Sequence, residues 1–416
     1  MQKKLKTPVT GKLIRESFII KYSIPLILIP TIWVSYFPGK IVAVTLVCLT
    51  PLIAMAAIFK YPTQNIDGKK ILNLFVIYNA IMFVRGIFIA ENQSDWIALY
   101  NFIFMFFLFP YYIYKLINPK NFMIMIRSYI IWGTVAAFII LGQGKTDGHV
   151  SFGATLSGFI LLLFFIPYIS SKWKIALIVI LLGWSFFSDI QYRMNLLNIG
   201  VAFLMFLLSY LRSNKLKVKL VKRATVFCFV FPVLFFILGV SGIFNIFKIS
   251  ENMEYVVSQG NKEQNITVDS RTGIYEDVLF GLRDNNAYVF GLGVNGKVKT
   301  SLSEHIYSLK SGRSFTESGM FNYLQWGGFV GFLVYFLFFA GASYFAVNKS
   351  NNWYMKSLGL WVSFKALCSF LEDQPSSFIY YFFIIYAVGL CYNRDFCRMT
   401  NMEMKKYINH LLQFKK

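Results

Sequence analysis

The sequence predicts an all-α polytopic membrane protein of about twelve transmembrane helices, with one large outer loop that carries short amphipathic helices. Three observations lead there. Of 416 residues, 56% are hydrophobic and only 14% charged, against about 25% charged in soluble domains. Phe (45 residues) and Tyr (25) are abundant, as in lipid-facing helices with aromatic ends at the interfaces. Lys and Arg recur in short runs between apolar segments, mostly in every second loop. The formal charge of +22 is not gathered on one soluble face, so no nucleic-acid partner is expected. No cleavable signal peptide is expected either: the first apolar run starts near Phe18 and no small-residue cleavage site follows it.

A helix needs roughly 20 apolar residues to cross the hydrocarbon core. Residues 1–245 form an N-terminal bundle of about nine such spans, near 18–37, 40–59, 71–90, 96–117, 122–142, 150–170, 175–187, 195–211 and 224–245. Residues 246–319 are the outer loop, capping a site. Residues 320–392 hold the last spans, near 320–346, 357–371 and 378–392. Residues 393–416 are a basic tail. The seventh, eleventh and twelfth spans are short.

Loop charges set the orientation. With the N-terminus inside, that side receives Lys3, Lys4, Lys6, Lys12 and Arg15, then Lys60, Lys69 and Lys70, Lys115 and Lys120, Lys172 and Lys174. It also receives the run "RSNKLKVKLVKR" (212–223), Lys349, Lys356 and the tail from Arg394. The short loops of the other face hold only Lys40, Lys145 and Arg193. Both termini are therefore expected in the cytoplasm, and the long loop outside.

A loop of ~70 residues far exceeds the usual connection, and such loops are commonly functional or disordered. Within it, "TGIYEDVLFGLRDN" places Ile274, Val278, Leu279 and Leu282 at helical spacing, with Asp269 or Ser270 able to cap the start. An ordered amphipathic helix over an outward-facing cavity follows.

Charged residues at membrane depth mark candidate sites. Arg85 lies late in the third span, Arg193 at the outer junction before the eighth, and Arg271 opens the amphipathic helix. Their planar guanidinium forks suit a diphosphate; the plainer role for each is snorkelling to lipid headgroups. Lys365 falls mid-way along the short eleventh span and has no assigned role. Arg313 lies four residues before Glu317, within reach of it or of a ligand. Glu317 meets low dielectric just before the tenth span: either a base or a dipole-favoured helix-start charge. His305, the only histidine of the loop, is a second candidate base, against a structural role. The glycines of "FGLGVNG" (290–296) lack the strand and helix of a dinucleotide site, and those of "GGFVG" read as close helix packing. The five cysteines show no metal-ligand spacing or disulfide framework, and no Walker motif, Ser-His-Asp order or acidic metal cluster occurs. No cofactor and no metal are expected.

Three stretches resemble the O-antigen polymerase and O-antigen ligase superfamily. "QYRMNLLNIGVAFLMFLL" is similar to that family's arginine-led start of a span after a short outer loop, with Met where a glycine is usual. "DSRTGIYEDVLFGLRDNNAYVFGLGVNG" resembles its pattern of an arginine, a nearby aromatic, a short helix and a Gly-x-Gly turn. "ESGMFNYLQWGGFVGFLVYF" resembles its last loop-to-span junction. Ligase-like members carry a His-Asn pair eleven residues before Gly-x-x-Gly; here Glu317 and Ser318 stand there, which looks more like the polymerase side. The resemblance implies a metal-independent glycosyltransferase at the outer face of a bacterial inner membrane. It would join undecaprenyl-diphosphate-linked oligosaccharide units, one as donor and one as acceptor, into a surface polysaccharide. Arg85, Arg193, Arg271 and Arg313 would bind the diphosphate, and Glu317 or His305 would take the acceptor proton. A chain-length regulator and a flippase are the implied partners. The alternatives are a flippase or transporter of the same lipid-linked units, or the ligase.

Overall fold

A computed structural model describes residues 20–22, 24–25, 28, 64–141, 157–187, 193–211, 213–240, 256–259, 262–265, 271–299, 312–316, 318–371 and 378–413. The expected first and second spans fall almost wholly outside these, as do His305 and Glu317. The described chain is mostly helical. Its helices are α1 (Lys69–Ile89), α2 (Gln93–Lys115), α3 (Pro119–Leu141), α4 (Ser171–Phe187), α5 (Arg193–Ser209) and α6 (Asn214–Val240). After them come α7 (Arg271–Asp284), α8 (Gly319–Tyr344), α9 (Trp353–Cys368), α10 (Phe378–Tyr392), α11 (Arg394–Arg398) and α12 (Asn401–Leu412). An unexpected hairpin of β1 (Val256–Gln259) and β2 (Lys262–Asn265) lies between α6 and α7.

Five helices among the described residues are long and apolar enough to cross a membrane: Lys69–Ile89, Gln93–Lys115, Pro119–Ile139, Asn214–Leu238 and Gly319–Lys349. Their outward surfaces stay apolar, with Phe88 85% exposed on α1 and Val226 61% exposed on α6. That pattern fits a lipid surround, since soluble monomers rarely expose such continuous apolar faces. The inward faces are aromatic. Phe75 of α1 stacks on Phe338 of α8 at 4.0 Å, and Tyr323 on Tyr335 at 4.1 Å. α8 packs on α1 and α9, α6 on α9, and α10 on the end of α2.

Two helices have bounds that differ from the sequence expectation. The basic run 214–223 is not a loop but the first turns of α6, because Lys and Arg are good helix formers and extend the helix beyond its apolar part. α9 begins at Trp353 rather than 357, because the Asn352 side chain caps it by accepting from the Met355 amide at 2.9 Å. The helix also ends at Cys368 rather than 371, which places Lys365 in the last turn of α9 instead of mid-helix.

The bundle has two distinct ends. At one, Arg394 pairs with Asp67 at 2.8 Å, and the Asn352 amide donates to the carbonyls of Phe396 and Met399. Arg127 of α3 donates to the Leu411 carbonyl there, and Lys217 to that of Ser209 at the end of α5. This end gathers Lys69, Lys115, Lys356 and the basic tail. Cys397 is buried here, and its thiol is pushed up to about 12 by burial, reinforced by the Asp67 charge. The thiolate is the nucleophile, so maleimide at pH 7.5 is expected to leave Cys397 unmodified in folded protein and to label it after denaturation. Peptide mapping of labelled protein checks this.

Candidate functional site

The opposite end is organised by a break in α8. Gly328 has φ 62° and ψ −161°, a region open essentially to glycine alone, so the helical ladder stops there and restarts. A broken helix exposes backbone groups that lipid cannot satisfy. Residues 288–294 lie in the break as a strap and satisfy them. The amides of Leu292 and Gly293 donate to the carbonyls of Gln325 and Trp326, each at 2.8 Å. Beyond the break, the amides of Phe329 and Val330 donate to the carbonyls of Tyr288 (2.8 Å) and Val289 (3.2 Å). Gly291, at φ 63°, sits so close that a Cβ there would lie 2.5 Å from the Gly327 nitrogen.

Side chains from three helices hold the strap. Arg85 of α1 donates to the carbonyls of Phe290 and Gly291, the latter at 2.8 Å. Asp95 of α2 pairs with Lys297 at 3.6 Å, and its carbonyl accepts from the Asn295 amide at 3.0 Å. Gln325 of α8 donates to the carbonyls of Gly296 (2.7 Å) and Arg313 (3.0 Å). Replacing Arg85 with Met removes two charge-assisted bonds. The expected loss is about 1–2 kcal/mol after solvent screening, read as a lower melting temperature of detergent-solubilised protein.

The strap fixes α7. Gly281 packs against Val298, and Val278 and Leu282 are fully buried. Tyr275 stacks on Phe321 of α8 at 4.0 Å and 9°, and its hydroxyl donates to the Phe370 carbonyl at 2.6 Å. The end of α9 and the start of α8 are joined as well: Ser318 Oγ and the Met320 amide donate to the Ser369 carbonyl at 2.9 and 2.8 Å. Asn322 binds the backbone and hydroxyl of Thr316, at 2.5 Å to its amide nitrogen. The residues on either side of Glu317 are thus locked in place.

The sequence-predicted residues fall as follows. Arg85 holds the strap, using two of its five N–H donors there. Arg193 opens α5 at the end away from Ser209 and the basic cluster, and Arg271 opens α7 one turn before Tyr275; their side chains lie outside the described residues. Arg313 is half-buried, and its backbone pairs with Val298. Glu317 and His305 lie outside the described residues. By chain direction, the last turns of α1 and α9, which carry Arg85 and Lys365, the first residues of α5 and α7, Arg193 and Arg271, and the bridge between Arg313 and Val298 lie toward the end of the bundle away from the basic cluster. Lys365 is completely buried, and its ammonium donates to the Tyr380 hydroxyl of α10. Among the described residues, no group of three or more His, Cys, Asp or Glu is placed to hold a metal ion.

The pairing of the two glycine clusters was missed in the sequence. Its only signal is that both carry glycines at close spacing, 291 and 293 against 327 and 328. Comparison of the chain with protein-family models, curated proteins and solved structures returned no match.

Proposed function

We propose that this protein is a polymerase of undecaprenyl-diphosphate-linked oligosaccharide repeat units, acting without a metal at the outer face of a bacterial inner membrane. In this reading the chain has about twelve spans, with both termini and the basic end in the cytoplasm. The observation that carries it is the strap. It clamps the helix opened by Arg271 onto the end of the bundle where Arg193, Arg313 and Lys365 also lie, next to the locked residues flanking Glu317. Cations at a lipid–water boundary suit a diphosphate leaving group, on which negative charge develops in the transition state.

The acceptor hydroxyl of one lipid-linked unit attacks the anomeric carbon of another. The bond from that carbon to the diphosphate oxygen breaks, and the acceptor proton passes to a base. Arg193 and Arg271 stabilise the departing diphosphate, with Arg85 and Arg313 nearby; Glu317 or His305 takes the proton. Such a base contributes typically 10²–10⁴-fold. A chain-length regulator and a flippase would act beside it.

A broken helix also favours a second reading, a transporter of the same lipid-linked units, because transporters aim half-helix ends at their cargo. Here, however, the half-helix ends are occupied by the strap backbone. Lys365 also sits in the last turn of α9 rather than at its middle. Both points favour the enzyme. The test is a gel of surface polysaccharide from cells lacking the protein. A polymerase leaves single repeat units, and the restored gene returns a ladder. Lipid-linked units trapped on the cytoplasmic face would instead establish transport.

A further inference from the structure

We propose that the exposed face of the strap, made by Tyr288, Val289 and Phe290, is a lipid-binding wedge seated in the acyl chains of the leaflet away from the basic cluster. Its occupant is bilayer phospholipid. The inference stands apart from the polymerase reading.

The outward side chains of the strap are apolar, with Val289 54% and Phe290 61% exposed, and no charged residue occurs from 285 to 296. In water such a patch invites aggregation. In lipid it is at home, provided that the irregular backbone beneath it is satisfied from within the protein. The strap meets that demand at its carbonyls. Those of Tyr288 and Val289 accept from the amides of Phe329 and Val330, and those of Phe290 and Gly291 accept from Arg85. Four successive carbonyls are thus bonded inward while three of the same residues expose apolar side chains. A loop built for water has no need of that combination.

The wedge also continues faces that already fit a lipid surround. On α1, Ile77, Ile81, Val84 and Phe88 recur every three or four residues and are all exposed. On α8, Phe329, Leu333 and Leu337 do the same. The strap joins the two helices. Arg85 holds it to α1, a Cβ on Gly293 would lie 3.0 Å from the Ile89 side chain, and the Tyr288 ring stacks on Phe329 at 6.3 Å and 21°. Its depth follows from length. The part of α8 before the break is buried inside the protein, so its exposed face begins at Phe329. From there to Lys349, the next charged residue, the helix rises about 30 Å at roughly 1.5 Å per residue, the thickness of the hydrocarbon core. Phe329, with Tyr288 stacked on it, therefore stands at the boundary of acyl chains and headgroups, the level that tyrosine favours. Val289, bonded to Val330 one residue deeper, and Phe290 beside it enter the acyl chains.

The test is the fluorescence of an NBD probe attached to Phe290→Cys, and separately to Val289→Cys, in the full-length protein reconstituted in phosphatidylcholine vesicles. Ile81→Cys, midway along the exposed stripe of α1, and Lys405→Cys, exposed on α12, are the references; protein with its native cysteines alone gives the background. The vesicle lipid carries bromine either near the carbonyl end of its acyl chains or near the methyl end, and iodide is the quencher in water. The probe at 289 and at 290 is expected to lose most fluorescence to the carbonyl-end bromines, less to the methyl-end bromines, and far less to iodide than the probe on Lys405→Cys loses. The probe on Ile81→Cys should respond most to the methyl-end bromines. Iodide quenching at 289 and 290 equal to that on Lys405→Cys means that water covers the strap, and overturns the proposal. Insensitivity to bromine and iodide alike means that a protein surface covers it, a second copy of this chain or another partner, and overturns it as well. If one of the two strap variants does not fold, the other decides alone.

Discussion

Replacing Gly328 with alanine is expected to prevent the strap and α7 from docking. The residue occupies a backbone region that costs about 1–3 kcal/mol for any residue with a Cβ. The added carbon would also lie 2.5 Å from the Tyr288 carbonyl oxygen, which cannot move without losing its bond to Phe329. Strain and lost strap bonds together put the effect above about 3 kcal/mol, among the largest seen for single substitutions. The variant should express poorly or elute as aggregate from a sizing column. Limited proteolysis of whatever remains folded should cut within 280–299. Alanine at Gly200, which meets nothing within 4 Å, should behave as wild type in the same assays.

Replacing Arg271 with alanine should act differently, removing function and sparing the fold. Arg271 opens α7, and among the described residues Tyr275, Val278 and Leu282, further along, dock this helix. Loss of one preorganised charge on a developing anion lowers turnover by about 10²–10³. Cells carrying Arg271→Ala should therefore show single repeat units in place of a ladder, with the protein present in the membrane at wild-type level. Arg271→Lys should recover only part of the activity, since an ammonium lacks the planar fork that grips two phosphate oxygens. A full ladder from Arg271→Ala would remove this residue from the site.

Much of the fold was legible in the sequence, because lipid-exposed helices must be apolar along their whole length. α1, α2, α3 and α8 lie close to the apolar runs that predicted them. α7 was legible too: Val278 and Leu282, spaced one turn apart, are both fully buried. The boundaries were less so. An apolar run marks where lipid begins, not where hydrogen bonding begins, and so Trp353 to Lys356 and the lysines of 214–223 were placed outside their helices. The break in α8 left almost no trace, because apolar residues flank Gly328 on both sides and the pairing runs through backbone atoms some 35 residues apart. Arg85 read as a ligand-binding or snorkelling residue because a sequence cannot show that two carbonyls of a distant turn meet it. Lys365 stood out as a buried charge, but its partner Tyr380 lies on the next helix, and no spacing rule connects them.

The most direct test of the central claim is reconstitution. The purified protein in detergent or liposomes is given undecaprenyl-diphosphate-linked repeat units and EDTA, with product length and released undecaprenyl diphosphate followed together. The account predicts a ladder, one undecaprenyl diphosphate released per linkage, and loss of both with Arg271→Ala. Repeat units that cross the liposome membrane but stay unjoined would contradict it and establish a transporter.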